Sequence, residues 1–183
     1  MNTPGETERA HTVADLMTPM PRILYEARVD NAWVDFNGHM NVAYYAMLFD
    51  HALDRFLDLV GLGQEYTRQA RGSMFVVENH LTYQREVMAG DPLAVKFQLL
   101  DHDRKRIHCF MELYQTADDF LAATSEQISM HVDMVARRST SMPGPESECL
   151  HQILDAHSRI ARPKEVGHKI GIRRKPHLSV PIV

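Results

Sequence analysis

The feature that most constrains the fold is a long apolar stripe in residues 41–60. Apolar side chains recur there at helical spacing, so they lie along one face of a helix. The stripe consists of Val42, Tyr45, Ala46, Phe49, Leu53, Phe56, Leu57 and Val60. At about 1.5 Å per residue the predicted helix is roughly 30 Å long, which is enough to cross the core of a small domain. Gly61-Leu62-Gly63 is expected to end it.

Alternating apolar and polar residues follow the helix in four segments, a pattern typical of half-buried strands. The segments are 73–86, 93–99, 107–113 and 120–136, and a further strand is predicted at 23–34, before the helix. Turn residues separate the segments at 89–92, 101–103 and 117–119. One long helix with several antiparallel strands predicts an α+β fold, in which a curled sheet would bury the helix on most sides.

The chain divides into a leader, one domain and a C-terminal extension. With 183 residues it is long enough for one well-buried domain. Residues 1–22 form the predicted leader, residues 23–140 the domain, and residues 141–183 a short helix followed by a basic tail. Pro143-Gly144-Pro145 marks the second boundary.

Composition excludes several classes of protein. The net charge of -4 gives no reason to expect nucleic acid or an acidic membrane surface as a partner. No apolar run approaches the ~20 residues of a membrane span, and residues 1–16 lack the apolar core of a signal peptide, so a cytoplasmic protein is expected. Cys109 and Cys149 form no disulfide framework, and Cys109 is predicted to be a small buried side chain. The 11 histidines show no ligand spacing, so no metal site is predicted.

Candidate chemistry is concentrated in the residues just before the helix. Asp35 ends an extended run, Asn37-Gly38 is a turn dipeptide, and Asn41 is a plausible N-cap. The free N–H groups at a helix start suit an oxyanion that develops on a carbonyl. A nearby carboxylate suits attack on that carbonyl or activation of a water. Spacing alone does not separate this function from a structural role in which Asp35 only braces the turn.

The same residues carry a family resemblance. The pattern D-x-x-G-H-M-N-x-x-Y-Y is formed by Asp35, Gly38, His39, Met40, Asn41, Tyr44 and Tyr45. It resembles the signature of hotdog-fold acyl-CoA thioesterases of the 4-hydroxybenzoyl-CoA thioesterase type, over residues 25–138. A second block, residues 99–134, is similar to thioesterases of carnitine breakdown, which act on betainyl-CoA. The resemblance implies a hotdog fold, an antiparallel sheet wrapped around one long central helix.

The resemblance also implies roles for individual residues. Asp35 would be the catalytic carboxylate, and the backbone N–H groups of Gly38, His39 and Met40 would polarise the thioester carbonyl. The predicted substrate-binding residues are Trp33, Asn41, Tyr44, Tyr45, Glu78 and His80, of which Glu78 and His80 are predicted because they share one face of a strand. Two basic clusters of the sequence, rather than the resemblance, supply the predicted contacts to coenzyme A phosphates, which are Arg104, Arg106, Arg173 and Arg174. For Glu78 and His80, and for both basic clusters, a solvated surface is the alternative.

Trp33 stands where many relatives carry a second Asp, so a more aromatic pocket is expected, one that suits a trimethylammonium group. The acyl-CoA brings its own coenzyme, so no bound cofactor is implied. Hotdog proteins pair side by side with their sites at the interface, so a homodimer or homotetramer is expected.

Two other functions stay open on the sequence. Hotdog enoyl-CoA hydratases carry D-x-N-x-x-H; Asp35 and Asn37 fit that pattern, but Met40 stands at the histidine position and His39 comes one residue early. The other alternative is a non-catalytic module that keeps the fold and binds acyl-CoA. The retained acid argues weakly against it.

Overall fold

The computed structural model describes residues 12–70 and 72–172. Its helices are α1 (Val13–Leu16), α2 (Val42–Leu59), α3 (Gln64–Ala70) and α4 (Gly144–His157), with a 3-10 turn at Asn31–Trp33. Its strands are β1 (Arg22–Arg28), β2 (Gly72–Tyr83), β3 (Pro92–His102), β4 (Arg106–Gln115), β5 (Phe120–Asp133) and β6 (Arg138–Ser139). Arg173 and Arg174, two of the predicted phosphate contacts, lie outside the described residues.

The strands form one antiparallel sheet in the order β1-β3-β4-β5-β2, and β6 pairs with β5. The inner face of the sheet shares one hydrophobic core with α2, as the buried Cys109, Met111 and Leu113 of β4 show. The α+β prediction is therefore confirmed. None of the helices in the two described ranges is long and apolar enough to cross a membrane.

Helix α2 follows the predicted stripe closely. Its buried positions include Tyr45, Phe49, Leu53 and Phe56, and full burial of such side chains stabilises the fold by about 1.5–3 kcal/mol each. The Phe56 ring stacks on Phe97 of β3, with the centroids 4.2 Å apart. Val42 is the exception: it belongs to the predicted stripe but is 58% exposed at the helix start.

The first strand is shorter than predicted. It ends at Arg28, whereas the alternation of residue types predicts a strand to residue 34. The Asp30 side chain accepts a hydrogen bond from Ala32 N at 2.8 Å, and this bond caps the 3-10 turn that replaces the rest of the strand. Trp33 and Asp35 therefore do not belong to a continuous strand, and strand alternation does not place their side chains.

A β-bulge changes the faces of β2. Val76 pairs with Ser129 and Glu78 with Ile128, which leaves Val77 as an extra residue. Phe75 therefore lies on the outer face of the sheet, away from α2, and not with Leu81 and Tyr83 as regular alternation predicts. Glu78 and His80 do share a face, and it is also the outer one.

The C-terminal helix covers one end of the sheet. Leu150 and Ile153 of α4 are fully buried in the common core. β1 pairs with β3 only from Arg22, which lies opposite Phe97. Leu99 of β3 lies beyond the end of β1, and its N–H donates to Nδ1 of His157 at 2.9 Å. A histidine ring thus satisfies a backbone donor that the neighbouring strand does not reach. Cys109 is fully buried as predicted, and burial raises its pKa to about 12.

Candidate active site

The turn before α2 is held by backbone hydrogen bonds. Val34 and Met40 form an antiparallel bridge, and within it Asp35 N donates to the carbonyl of His39 at 3.0 Å. Gly38 N donates back to the Asp35 carbonyl, also at 3.0 Å. Gly38 has φ +83°, a conformation that other residues rarely adopt. The predicted Asn-Gly turn is therefore present, and its geometry requires the glycine.

The turn fixes the direction of the Asp35 carboxylate. Oδ1 of this half-buried side chain accepts a hydrogen bond from Asn37 N at 2.8 Å. The second oxygen, Oδ2, has no hydrogen-bond partner in the described part of the chain. One oxygen thus braces the turn, as the structural alternative requires, while the other is available to a water or a substrate.

The start of α2 adjoins this turn. The Asn41 side chain accepts a hydrogen bond from Ala43 N at 3.0 Å, which confirms the predicted N-cap. The backbone N–H of Asn41 donates to the Trp33 carbonyl at 2.9 Å. This bond ties the helix start to the residues that precede Asp35.

Backbone donors near the turn differ from the predicted set. Gly38 N is used within the turn, and Met40 N donates to the carbonyl of Val87 at 3.0 Å. His39 N and Val42 N have no acceptor among residues 12–70 and 72–172, so these two N–H groups are free. Val42 was missed on the sequence, although its position directly after the N-cap is a signal, because the first helical N–H never has a partner within the helix.

The aromatic residues around the turn separate into two groups. The rings of Trp33 and Tyr44 stack with centroids 5.3 Å apart and an interplanar angle of 16°, and the Tyr44 hydroxyl donates to the Ala32 carbonyl at 3.4 Å. Tyr45 turns into the core, where its ring meets the edge of Tyr83 at 5.2 Å, and burial raises the pKa of its phenol. Trp33 and Tyr44 thus form an aromatic pair without Tyr45.

Glu78 and His80 lie apart from Asp35 within one chain. Both are on the outer face of the sheet, where they line a cavity of about 260 Å³ together with His108 and Glu126. His108 Nε2 lies 2.8 Å from Glu126 Oε1. The structure does not bring Glu78 or His80 to the turn, so their role in binding substrate stays a prediction.

Of the predicted phosphate contacts, Arg104 lies in the β3–β4 turn and Arg106 is the first residue of β4. Arg106 donates two hydrogen bonds to Asp103 Oδ2, at 2.8 and 2.6 Å, and the hydrogen bonds to that carboxyl lower its pKa to about 2. In β-sheet register, Arg106 is level with Met130 and hence with Phe75, toward the start of β2. In one chain this is the opposite end of the sheet from Tyr83, whose ring contacts α2 near its start.

Comparison with known proteins decides the family. A family model described as the thioesterase-like superfamily matches residues 29–163. The chain belongs to this superfamily. As a thioesterase-like protein it is a thioester hydrolase, and the carboxylate beside free N–H donors is a suitable arrangement for that reaction. Within the described ranges, no group of three or more His, Cys, Asp or Glu side chains is arranged to hold a metal ion.

Two relatives of this thioesterase-like chain are named as betainyl-CoA thioesterases, one of them within a longer protein. The chain is 35% identical over 148 residues to the betainyl-CoA thioesterase of Pseudomonas aeruginosa, an alignment that covers 81% of this chain and 93% of that protein. It is 34% identical over 154 residues to the L-carnitine dehydrogenase/betainyl-CoA thioesterase of Rhizobium meliloti, where the alignment covers 84% of this chain and 31% of the longer protein.

Solved structures confirm the hotdog fold. The thioesterase-like chain matches a Staphylococcus aureus protein in complex with CoA, with a TM-score of 0.78 and 30% identity over 84% of this chain and 98% of that one. A 1,4-dihydroxy-2-naphthoyl-CoA thioesterase from Synechocystis matches with a TM-score of 0.64 over 70% of this chain and 95% of that one. Because the identity is only 18%, the second match supports the fold and nothing more.

Proposed function

We propose that the protein hydrolyses betainyl-CoA to betaine and coenzyme A. The observation that carries the chemistry is the Asp35 carboxylate, which the turn holds by one oxygen while leaving the other free, beside two unpartnered N–H groups at a helix start. Support for the acyl group comes from the 35% identity to a betainyl-CoA thioesterase. The aromatic pair of Trp33 and Tyr44 is consistent with a trimethylammonium group, which aromatic faces attract.

In the proposed reaction the thioester carbonyl lies at the start of α2. The N–H groups of His39 and Val42 donate to its oxygen as negative charge develops there. Asp35 either attacks the carbonyl carbon or takes a proton from a water that attacks it. The C–S bond then breaks, the thiolate takes up a proton to give coenzyme A, and the acyl group leaves as a carboxylate once water has been added.

A homodimer is part of the proposal, and β2 supports it. This strand pairs with β5 along one edge, and no strand in the described part of the chain pairs with its other edge. Apolar side chains are exposed in the middle of the strand: Phe75 is 45%, Val76 42% and Val77 54% exposed. An exposed apolar edge is a template for another strand, and a second copy offers a matching one. Either a dimer or a tetramer built from dimers would pair this edge with a second strand.

Symmetry fixes how two copies would meet. Two β2 strands related by a two-fold axis run antiparallel, so the end of β2 in one copy lies beside the start of β2 in the other. The start of β2 is level with the β3–β4 turn and the start of β4, which carry Arg104 and Arg106. In the proposed dimer these arginines therefore approach Asp35 of the second copy, where they suit the phosphates of its coenzyme A.

The test is release of free thiol from a panel of acyl-CoAs. Betainyl-CoA is expected to be hydrolysed with a higher kcat/KM than a neutral acyl-CoA of similar size. Equal rates on the two substrates would remove the betainyl assignment and leave a general thioesterase. Hydration of an enoyl-CoA without thiol release would contradict the hydrolytic mechanism.

A further inference from the structure

An open groove lies on the inner side of the sheet at the end opposite the Asp35 turn. It has a volume of about 330 Å³ and lies between the second half of α2, helix α3 and the start of β2. Leu57, Leu62 and Met74 supply its apolar surface. Its polar lining includes Asp54, Asp58, Thr67 and Arg68. The volume falls within the range of about 300–1,000 Å³ that is usual for small-ligand sites.

Two of the charged groups in the groove already have partners. Asp58 Oδ1 accepts a hydrogen bond from Gln64 N at 3.0 Å, so this carboxylate holds the start of α3. Arg68 forms an ion pair with Glu65 at 3.4 Å and donates to Gln64 Oε1 at 3.2 Å. The positive charge of the groove is therefore balanced within α3.

Asp54 differs from its neighbours. Its carboxylate makes no hydrogen bond or ion pair with residues 12–70 and 72–172, although it lines the groove. Burial against the groove walls raises its pKa, repulsion from Asp50 and Asp58 adds to the shift, and the nearby His51 offsets part of it. The groove thus contains one carboxylate that has lost part of its hydration and forms no ion pair in the described part of the chain.

Within one chain the groove and the Asp35 turn lie at opposite ends of β2, and the proposed dimer would bring the groove of one copy to the turn of the other. Within one chain, Tyr45 near the start of α2 contacts Tyr83 at the end of β2, whereas Ser73 and Met74 at the start of β2 line the groove. The exposed middle of β2 is centred on Val77, so antiparallel pairing about that residue places Tyr83 of one copy beside the start of β2 in the other. Because the paired strands form one continuous sheet, both inner faces, and hence the turn and the groove, lie on the same side.

We infer that the groove of each copy completes the active site of the other, with Asp54 as the group that selects an acyl chain ending in a quaternary ammonium. The apolar surface of the groove accommodates the methyl groups, and the carboxylate of Asp54 balances the charge. Trp33 and Tyr44 of the opposite copy offer aromatic faces to the same group. This inference rests on the proposed function for the identity of the substrate, and it adds the residue and the subunit that recognise it.

The first experiment compares Asp54→Asn with Asp155→Asn. Asp155 lies on α4, where it forms an exposed pair with Arg159, and does not line the groove. The readout is the ratio of kcat/KM for betainyl-CoA to that for a neutral acyl-CoA of similar size. Asp54→Asn is expected to lower the ratio at least about tenfold, since a close charge pair at an interface is lost, whereas Asp155→Asn leaves it unchanged. An equal ratio in wild type and Asp54→Asn would overturn the inference.

The second experiment asks which subunit supplies Asp54. Mixed dimers of Asp35→Asn and Asp54→Asn chains contain one site with both wild-type residues if the site is shared between copies. Such dimers are expected to keep the wild-type ratio. If both residues belonged to one chain, every site would lack one of them, and mixed dimers would show only the ratio of the Asp54→Asn variant. That result would contradict the shared site.

A binding measurement separates this inference from the proposed function. Saturation-transfer NMR with tetramethylammonium reports contact with the protein and needs no hydrolysis. A signal that wild type shows and Asp54→Asn loses supports the groove site even if betainyl-CoA proves not to be a substrate. A signal of equal strength in both proteins, or no signal in either, would contradict the groove site even if betainyl-CoA is hydrolysed.

Discussion

His157 is expected to make the stability of the protein depend on pH. Its Nδ1 accepts the hydrogen bond from Leu99 N, so in the neutral ring the proton lies on Nε2. Protonation of Nδ1 would place its N–H against the N–H of Leu99, so that two donors face each other. His157 is only 1% exposed, so water cannot easily relieve this contact. Burial accordingly lowers the pKa of His157 from 6.5 to about 4 in the folded protein.

The sign and size of the effect follow from these two values. Between them the unfolded chain holds a proton on His157 that the folded chain does not, so the free energy of unfolding falls as the pH falls from about 6.5 to about 4. From pH 7 to pH 5, with a folded pKa of about 4, the loss is about 2 kcal/mol. Below the folded pKa the two states are equally protonated and this residue causes no further loss.

Urea unfolding at fixed protein concentration, at pH 7 and pH 5, measures the effect. His157→Gln is the informative variant, because its side-chain oxygen still accepts the Leu99 N–H but the amide does not titrate. We expect the pH-dependent loss in this variant to be smaller than in wild type by about 2 kcal/mol. Equal losses in the two proteins would refute the argument that burial of His157 disfavours its charged form.

Three further outcomes are expected. Trp33→Leu should reduce the preference for betainyl-CoA over a neutral acyl-CoA by roughly tenfold, which kinetics on both substrates measure; an equal loss on both would mean that Trp33 only packs. Val77→Lys places a charge on the exposed edge and should weaken dimerisation at least about tenfold, as measured by analytical ultracentrifugation. The control Met20→Lys changes a similarly exposed apolar residue outside the sheet and should leave dimerisation unchanged. Gly63→Ala should destabilise the protein by about 1–3 kcal/mol in urea unfolding, because its Cβ would lie 2.7 Å from Asp58 Cα; unchanged stability would refute this.

The sequence predicted the parts of the structure that local patterns determine. Helix α2 and its N-cap, Asn41, follow from apolar spacing and a capping residue, both of which act over a few positions. The Asn-Gly turn is local in the same sense, and the structure contains it. The burial of Cys109 followed from its place in an alternating run.

What the sequence did not predict depends on tertiary contacts. The bulge at Val77 is a property of the pairing between β2 and β5, and one extra residue there moved Phe75 to the other face. The hydrogen bond from Met40 N to the Val87 carbonyl joins segments that are 47 residues apart in the sequence. The free donors could therefore not be identified from the turn alone. The end of β1 did have a local signal, the Asp30 cap, but the alternation of residue types concealed it.

The most direct test of the catalytic role is Asp35→Asn, with Asp30→Asn as its matched control. Each aspartate accepts a hydrogen bond at 2.8 Å from the backbone N–H two residues ahead, and an asparagine oxygen can accept the same bond, so both turns should be kept. Measured by thiol release on the best substrate, Asp35→Asn is expected to lower kcat by about 10²–10⁴-fold while Asp30→Asn stays close to wild type. Near-native turnover by Asp35→Asn would contradict the assignment of Asp35 as base or nucleophile.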